Sequence, residues 1–201
     1  MQTLHVETAT VADAAAVIDS VMLAFAGDPM ARWSWSDPKV YLATFPRFVR
    51  AFAGMAFERG TAHRVGHAGA ALWLAPGVYP DAQQMGALVE ETIPPALQKD
   101  GEKLMEQMNR FHPQEPHWYL PLIGIDPAHQ GKGLGAALLR HQLAICDRDG
   151  VPAYLESSNP RNISLYERHG FGTLGRIQAG SSPAMIPMLR KPRRRKWWQR
   201  K

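Results

Sequence analysis

The chain has 201 residues, 45% of them hydrophobic and 20% charged, with a single cysteine. That is enough apolar material for one globular domain with its own core, and it argues against a disordered chain, a disulfide-stapled scaffold or, with no unbroken apolar run near the roughly 18 residues of a membrane span, a membrane protein. The formal net charge of +5 is concentrated at the C-terminus, where Arg190, Lys191, Arg193, Arg194, Arg195, Lys196, Arg200 and Lys201 supply eight of the 23 basic residues; the other 15 face 18 acidic ones, so the body is mildly acidic and calls for no specific nucleic-acid partner.

Residues 3–7 (TLHVE) alternate as a short strand does. Thr10 with Asp13 makes a capping pair for a helix in which Ala14, Val17, Ile18, Val21 and Phe25 share one face. A loop, AGDPMARWSWSDP, is expected next. Tyr41, Phe45, Phe48, Val49, Phe52 and Met55 then recur at helical spacing, an aromatic stripe expected in the core, with Pro46 kinking the helix or marking its start. Residues 61–65 and 68–74 read as a hairpin that turns at Gly66 and His67 and is closed by Pro76 and Gly77. From 80 to 111 the pattern is helical but interrupted at Pro94, Pro95 and Gly101, which predicts two helices inserted between two strands and lying over the sheet. After them come a strand over 118–125, a glycine-rich loop, a helix to about 148 stopped by Gly150, a strand over 153–157, a helix over 161–169 stopped by Gly170, and two short strands ending at Leu189. One domain over 1–191 and a basic tail over 192–201 follow from this order. Cys146, in the helical pattern before Gly150, is expected as a small core residue. The lack of a pairing cysteine, of a basic leader and of a long apolar stretch predicts a reducing, cytoplasmic setting.

The run Ile123-Gly-Ile-Asp-Pro-Ala-His-Gln130-Gly-Lys-Gly-Leu-Gly135 puts three glycines at alternate positions where a strand hands over to a helix. Glycine lets the backbone turn tightly and approach a ligand, while the free N–H groups of the first helical turn, with the helix dipole, favour an anion such as a pyrophosphate. Lys132 adds a cation, or simply a solvated lysine. The spacing excludes a P-loop, because Gly131-Lys132 is followed by glycine rather than a hydroxyl residue. It also departs from the dinucleotide fingerprint G-x-G-x-x-G, although Glu156 stands about twenty residues on, where a ribose-binding acid would sit. A ligand-free tight turn is the third reading.

The pattern Gln130-Gly131-x-Gly133-x-Gly135 resembles the pyrophosphate-binding motif of the GNAT superfamily of acyl-CoA-dependent N-acetyltransferases. Asn159-Pro-Arg-Asn-Ile-Ser-Leu-Tyr166-Glu-Arg-His-Gly170-Phe171 is similar to the second motif of the same family. The wider stretch from Pro113 to Phe171 resembles the puromycin N-acetyltransferase branch, and the N-terminal segment does so more loosely. The resemblance implies an α/β fold: a mixed, mostly antiparallel central sheet with helices on both faces, whose two central strands, 118–125 and 153–157, splay apart at one end. Acetyl-CoA is implied as the acetyl donor. Its pantetheine arm would pair with the backbone of Ile123, Gly124 and Ile125, and its pyrophosphate would lie on Gln130, Gly131, Lys132, Gly133, Leu134, Gly135 and Ala136.

Acetyl transfer to an amine needs an unprotonated amine, a stabilised oxyanion and a proton for the leaving thiolate. By resemblance, Tyr166 is the general acid and lies at the cofactor; a tyrosine that packs its ring and shows its hydroxyl to water is the plainer alternative. Asn159 precedes Pro160 as a helix cap does, so capping and cofactor contact both remain open, and Asn162 is the corresponding ligand in the puromycin-type branch. Glu156, on the strand beside the gap, is the candidate general base, with a buried structural glutamate as the alternative and His117 or Glu115 next in line. The histidines show no H-E-x-x-H spacing, so no metal is predicted. The expected partner is a small-molecule amine, with an amine-bearing antibiotic suggested by the puromycin-type resemblance. The protein is expected as a monomer or homodimer, its Trp-containing basic tail giving at most weak binding to anionic surfaces.

Overall fold

The computed structural model describes residues 5–193. In chain order the elements are β1 (Glu7–Ala9), α1 (Ala14–Phe25), α2 (Pro29–Ser34), α3 (Pro38–Ala53), α4 (Met55–Glu58), β2 (Ala62–Arg64), β3 (Gly69–Leu74), α5 (Ala82–Thr92), α6 (Pro95–Phe111), β4 (Trp118–Ile125), α7 (Leu134–Asp149), β5 (Ala153–Ser157), α8 (Ile163–Arg168), β6 (Gly172–Thr173) and β7 (Ile186–Arg190). Short 3-10 turns at Val11–Asp13, Pro127–His129 and Pro160–Asn162 lead into α1, the glycine loop and α8.

Several expected boundaries move, each for a local reason. Among the described residues the first strand is Glu7–Ala9, whose three residues find partners in Arg64, His63 and Ala62, and His5 and Val6, expected in it, are not part of it; residues 1–4 lie outside the described residues. The expected loop 26–38 contains α2, whose first turn is capped by Asp28: its Oδ1 accepts from the amides of Met30 and Ala31 at 2.9 and 3.2 Å. Asp37 caps α3 in the same way, so that helix starts at Pro38 and runs through Pro46 instead of beginning there. Gly101 does not interrupt α6, which is continuous from Pro95 to Phe111. Residues 192 and 193, assigned to the tail, are ordered far enough for the Arg193 amide to donate to Asp147. The rest of the basic run lies outside the described residues.

The strands form one seven-stranded sheet in the order β1-β2-β3-β4-β5-β7-β6. Every pairing is antiparallel except β4 with β5. A sheet with one parallel pair is not the mostly parallel, doubly wound sheet of a dinucleotide-binding fold, so that alternative falls. β3 alternates between two cores: Ala70 and Leu72 meet α1, α3 and α4 on one face, while Ala71 and Trp73 meet α7 and α8 on the other. The aromatic stripe of α3 lies in the first core, with Tyr41 and Phe45 buried. Cys146 is wholly buried in the second, and burial pushes its thiol up to about 12. Leu104 of α6 packs on the segment around Ile177 and Met185, carrying the helix across the end of the sheet near β5.

Candidate active site

β4 and β5 pair at only two positions, Trp118 with Ala153 and Tyr119 with Tyr154. β4 then breaks register with β3 as well: Leu72 pairs with Leu122 and Leu74 with Tyr119, so β4 spends one residue more than its partner, in a stretch where Pro121 has no N–H to give a ladder. Past this bulge the two central strands diverge, as expected. Ile123, Gly124 and Ile125 keep their bonds to β3 on one side and have no strand partner on the side that faces β5. Gly124 also lets α1 come close, since a Cβ there would meet the Ala24 Cβ at 2.6 Å.

The gap opens into a cleft of about 680 Å³ lined by both strands, the α1–α2 junction, the glycine loop and α8. Its floor is the turn before α7. Gly131 and Gly133 have φ of 75° and 77°, a region that strains any residue with a Cβ, and a Cβ on either would face open space. Gly133 is the N-cap of α7 but offers no side chain, and among the described residues the amides of 131–136 donate to no other group. Six N–H groups in succession, opening a helix of sixteen residues, make a cradle for a phosphate-bearing ligand.

The remaining expected ligands divide. Gln130 lines the cleft but turns its side-chain amide back to the Ile125 carbonyl at 3.0 Å, bracing the loop. Leu134, Gly135 and Ala136 line the cleft, whereas Lys132 does not and leans toward the Ala128 carbonyl at 3.5 Å. Asn159 lines the cleft too, and its side chain also caps the following turn, accepting from the Arg161 amide at 3.1 Å. Asn162 lines the cleft with no side-chain bond among the described residues. Arg161 and Arg168, which sequence reasoning passed over, also line it. Their spacing with Leu165 at i, i+4 and i+7 was the available signal, for it marks one face of a helix.

Tyr166 lines the cleft with its ring packed edge-on to Phe171 at 6.0 Å. Burial, and then the Asp28 carboxylate, raise its phenol above the ordinary tyrosine range, so it holds its proton throughout the neutral range. Asp28 is itself buried, caps α2 with one oxygen and accepts from Ser158 Oγ at 2.6 Å with the other. That bond ties the α1–α2 junction to the end of β5 across the cleft, and sequence reasoning missed it, since an Asp before Pro29 signals only a cap.

Glu156 lines the cleft two residues beyond the last β4–β5 pair. Its side chain is 4% exposed and its Oε1 has no hydrogen-bond partner. Tyr119 and Tyr154 flank it; burial first, and then the Glu156 charge, raise both phenols. His112, which sequence reasoning did not single out for this role, sits here too, while Glu115 is present only through its backbone carbonyl, 2.8 Å from His117 Nδ1. Among the described residues no group of three or more His, Cys, Asp or Glu side chains is arranged to hold a metal ion, and no helix is long and apolar enough to cross a membrane.

Residues 104–171 match the model of the acetyltransferase (GNAT) family. An uncharacterized N-acetyltransferase of Schizosaccharomyces pombe is 32% identical over 151 residues, 67% of this chain and 61% of that protein. A mycothiol acetyltransferase of Streptomyces avermitilis is 34% identical over 79 residues, 38% of this chain and 26% of that protein. This chain therefore spans about three-fifths of the first relative and about a quarter of the second. A crystal structure from Corynebacterium glutamicum, described as histone acetyltransferase HPA2 and related acetyltransferase, has a TM-score of 0.67 at 27% identity, over 95% of this chain and 97% of that one.

Proposed function

From the premise that the chain carries a GNAT acetyltransferase domain, we propose that it is an acyltransferase that moves the acetyl group of acetyl-CoA to a primary amine of a small molecule held in the same cleft. The observation that carries this reading is the junction of the β4–β5 fork with six unshared backbone N–H groups at 131–136. Acetyl-CoA, when bound, supplies a thioester carbonyl and a thiol leaving group. The fit rests on the cradle for its diphosphate, on Arg161 and Arg168 as flanking cations, on Asn162 with an uncommitted amide, and on the free edge of residues 123–125 as a ladder for the amide-bearing pantetheine.

The residues at the fork divide the proton traffic. Tyr166 keeps its phenolic proton at neutral pH and, lining the cleft, is the donor to the departing sulfur; burial holds that proton in place but does not strengthen the acid. Glu156 takes a proton from the acceptor amine. The acceptor enters past the α1–α2 junction, where Phe25 and Asp28 line the cleft, an apolar ring beside a carboxylate that suits a cationic amine. The puromycin-type resemblance adds an amine-bearing antibiotic as one acceptor to try.

Differential scanning fluorimetry with acetyl-CoA, CoA, NAD and NADP tests the cofactor class. An acetylation panel of small primary amines that includes puromycin tests turnover. Stabilisation by acetyl-CoA and CoA alone, with at least one amine acetylated, is expected. Stabilisation by CoA with no amine acetylated favours a CoA-binding module without turnover, and no response to CoA overturns the reading.

A further inference from the structure

The C-terminal end of α6 brings His112 to the rear of the fork, where groups from distant parts of the chain form one line of contacts. Glu156 Oε1 is buried without a partner, and His112 Nδ1 lies 3.8 Å from it, beyond hydrogen-bond reach. On the opposite edge of the same ring, His112 Nε2 is 3.0 Å from His117 Nε2. His117 Nδ1 in turn is 2.8 Å from the carbonyl oxygen of Glu115.

The proton positions follow by elimination. A carbonyl oxygen only accepts, so His117 Nδ1 carries a hydrogen and the neutral ring has a bare Nε2. The 3.0 Å contact then requires the hydrogen on His112 Nε2, which leaves Nδ1 of a neutral His112 bare and facing Glu156. Two acceptors face each other across 3.8 Å, a separation that one added proton would close into a hydrogen bond.

We propose that Glu156 passes the proton it takes from the acceptor amine to Nδ1 of His112, and that His117 is the positioning residue that holds His112 in the tautomer able to receive it. The step balances. The N–H bond of the ammonium breaks as an O–H forms on Glu156; that O–H breaks as an N–H forms on His112, which restores the carboxylate and leaves an imidazolium bonded to Glu156 and His117. Water then takes the proton from His112, whose side chain is 29% exposed where that of Glu156 is 4% exposed. This difference is the reason for a relay, since the carboxylate is too enclosed to discharge to solvent itself. The other titratable groups facing the His112 ring are Tyr119 and Tyr154, with centroids at 5.1 and 4.9 Å, and their raised phenols stay neutral. Burial also lowers the His117 imidazole, which keeps its Nε2 an acceptor.

The inference rests on reading Glu156 as the base, and the test separates the two. Nitrogen-15 spectra of the histidine rings in the full chain at pH 8 should show His117 protonated on Nδ1 and His112 on Nε2, with His117→Phe scrambling the latter; His112 protonated on Nδ1 overturns the proposal. With an amine acetylated in the panel, His112→Gln should lower kcat at pH 6.5 about 10²-fold, the lower end for proton-transfer catalysis, leave KM for acetyl-CoA unchanged, and recover by pH 9.5, where the amine arrives neutral. His112→Gly should regain turnover with added imidazole. A loss equal at every pH, as a packing defect gives, overturns the relay, as does no loss. Full turnover by Glu156→Gln at pH 6.5 removes the base assignment itself, whereas loss in Glu156→Gln beside a wild-type profile in His112→Gln removes only the relay.

Discussion

Tyr119 and Tyr154 stand opposite one another at the last position where β4 and β5 pair, their ring centroids 6.0 Å apart. The register break of β4 begins one residue later, and Glu156 follows Tyr154 by two, on the same face of β5. The pair thus marks the apex of the fork: on one side lies a closed ladder, on the other the cleft, with the buried carboxylate at the boundary.

The glycine cradle has a direct test. Gly133 sits at φ 77° with open space where a Cβ would project, so Gly133→Val brings a backbone penalty of about 1–2 kcal/mol and tilts the amides at the start of α7 without a clash in the core. The variant is expected to stay folded by circular dichroism and to lose acetyl-CoA binding by calorimetry. Undiminished affinity in a folded Gly133→Val protein would move the diphosphate elsewhere.

Tyr166→Phe should retain the ring contact with Phe171 and acetyl-CoA affinity while reducing chemistry-limited turnover about 10²- to 10⁴-fold. Rapid-quench measurement of the acetyl-transfer step is the check. An unchanged rate would reduce Tyr166 to a packing residue.

The two asparagines should separate. Asn159→Ala removes the cap on the Arg161 amide and should cost about 0.5–2 kcal/mol in urea unfolding. Asn162→Ala breaks no side-chain bond within the described residues, so stability should hold while acetyl-CoA affinity falls by about 2- to 10-fold, the worth of one net hydrogen bond. The reverse pattern would exchange their roles.

Arg190 and Asp147 form a bidentate pair at 2.7 and 2.8 Å, with the arginine side chain 3% exposed and the aspartate 23% exposed. Removing the carboxylate strands a buried cation, so Asp147→Ala is expected to cost about 3–5 kcal/mol and Arg190→Met less. Burial alone would raise the Asp147 carboxyl, but Arg190 and the Arg193 amide outweigh it and hold it below the usual range. A carboxyl whose folded pKa is depressed contributes stability that is present above its unfolded value of about 3.9 and lost as pH falls through the folded value. Urea midpoints of wild type and Asp147→Asn should therefore converge on acidification; a constant gap would contradict the pairing.

Much of the site was legible because it is local. Glycine at 131 and 133 encodes a backbone that no other residue adopts without strain, and the apolar runs at 118–125 and 153–157 reported the two strands that part. The capping chemistry of Asp28 and Asp37 was equally local, yet α2 went unplaced and α3 was expected to start later than Pro38, because a proline-containing stretch around tryptophans read as loop. What the chain order could not disclose was contact between remote segments. His112 reaches Glu156 because α6 packs on the segment around Ile177 and Met185, Ser158 reaches Asp28 because the α1–α2 junction lines the cleft opposite the end of β5, and each depends on which faces bury together. Local dihedral preference and side-chain periodicity are properties of a short window and survive in the sequence; the burial of a carboxylate, the tautomer of a histidine and the divergence of two strands arise from packing free energy shared among segments that meet only in the folded state.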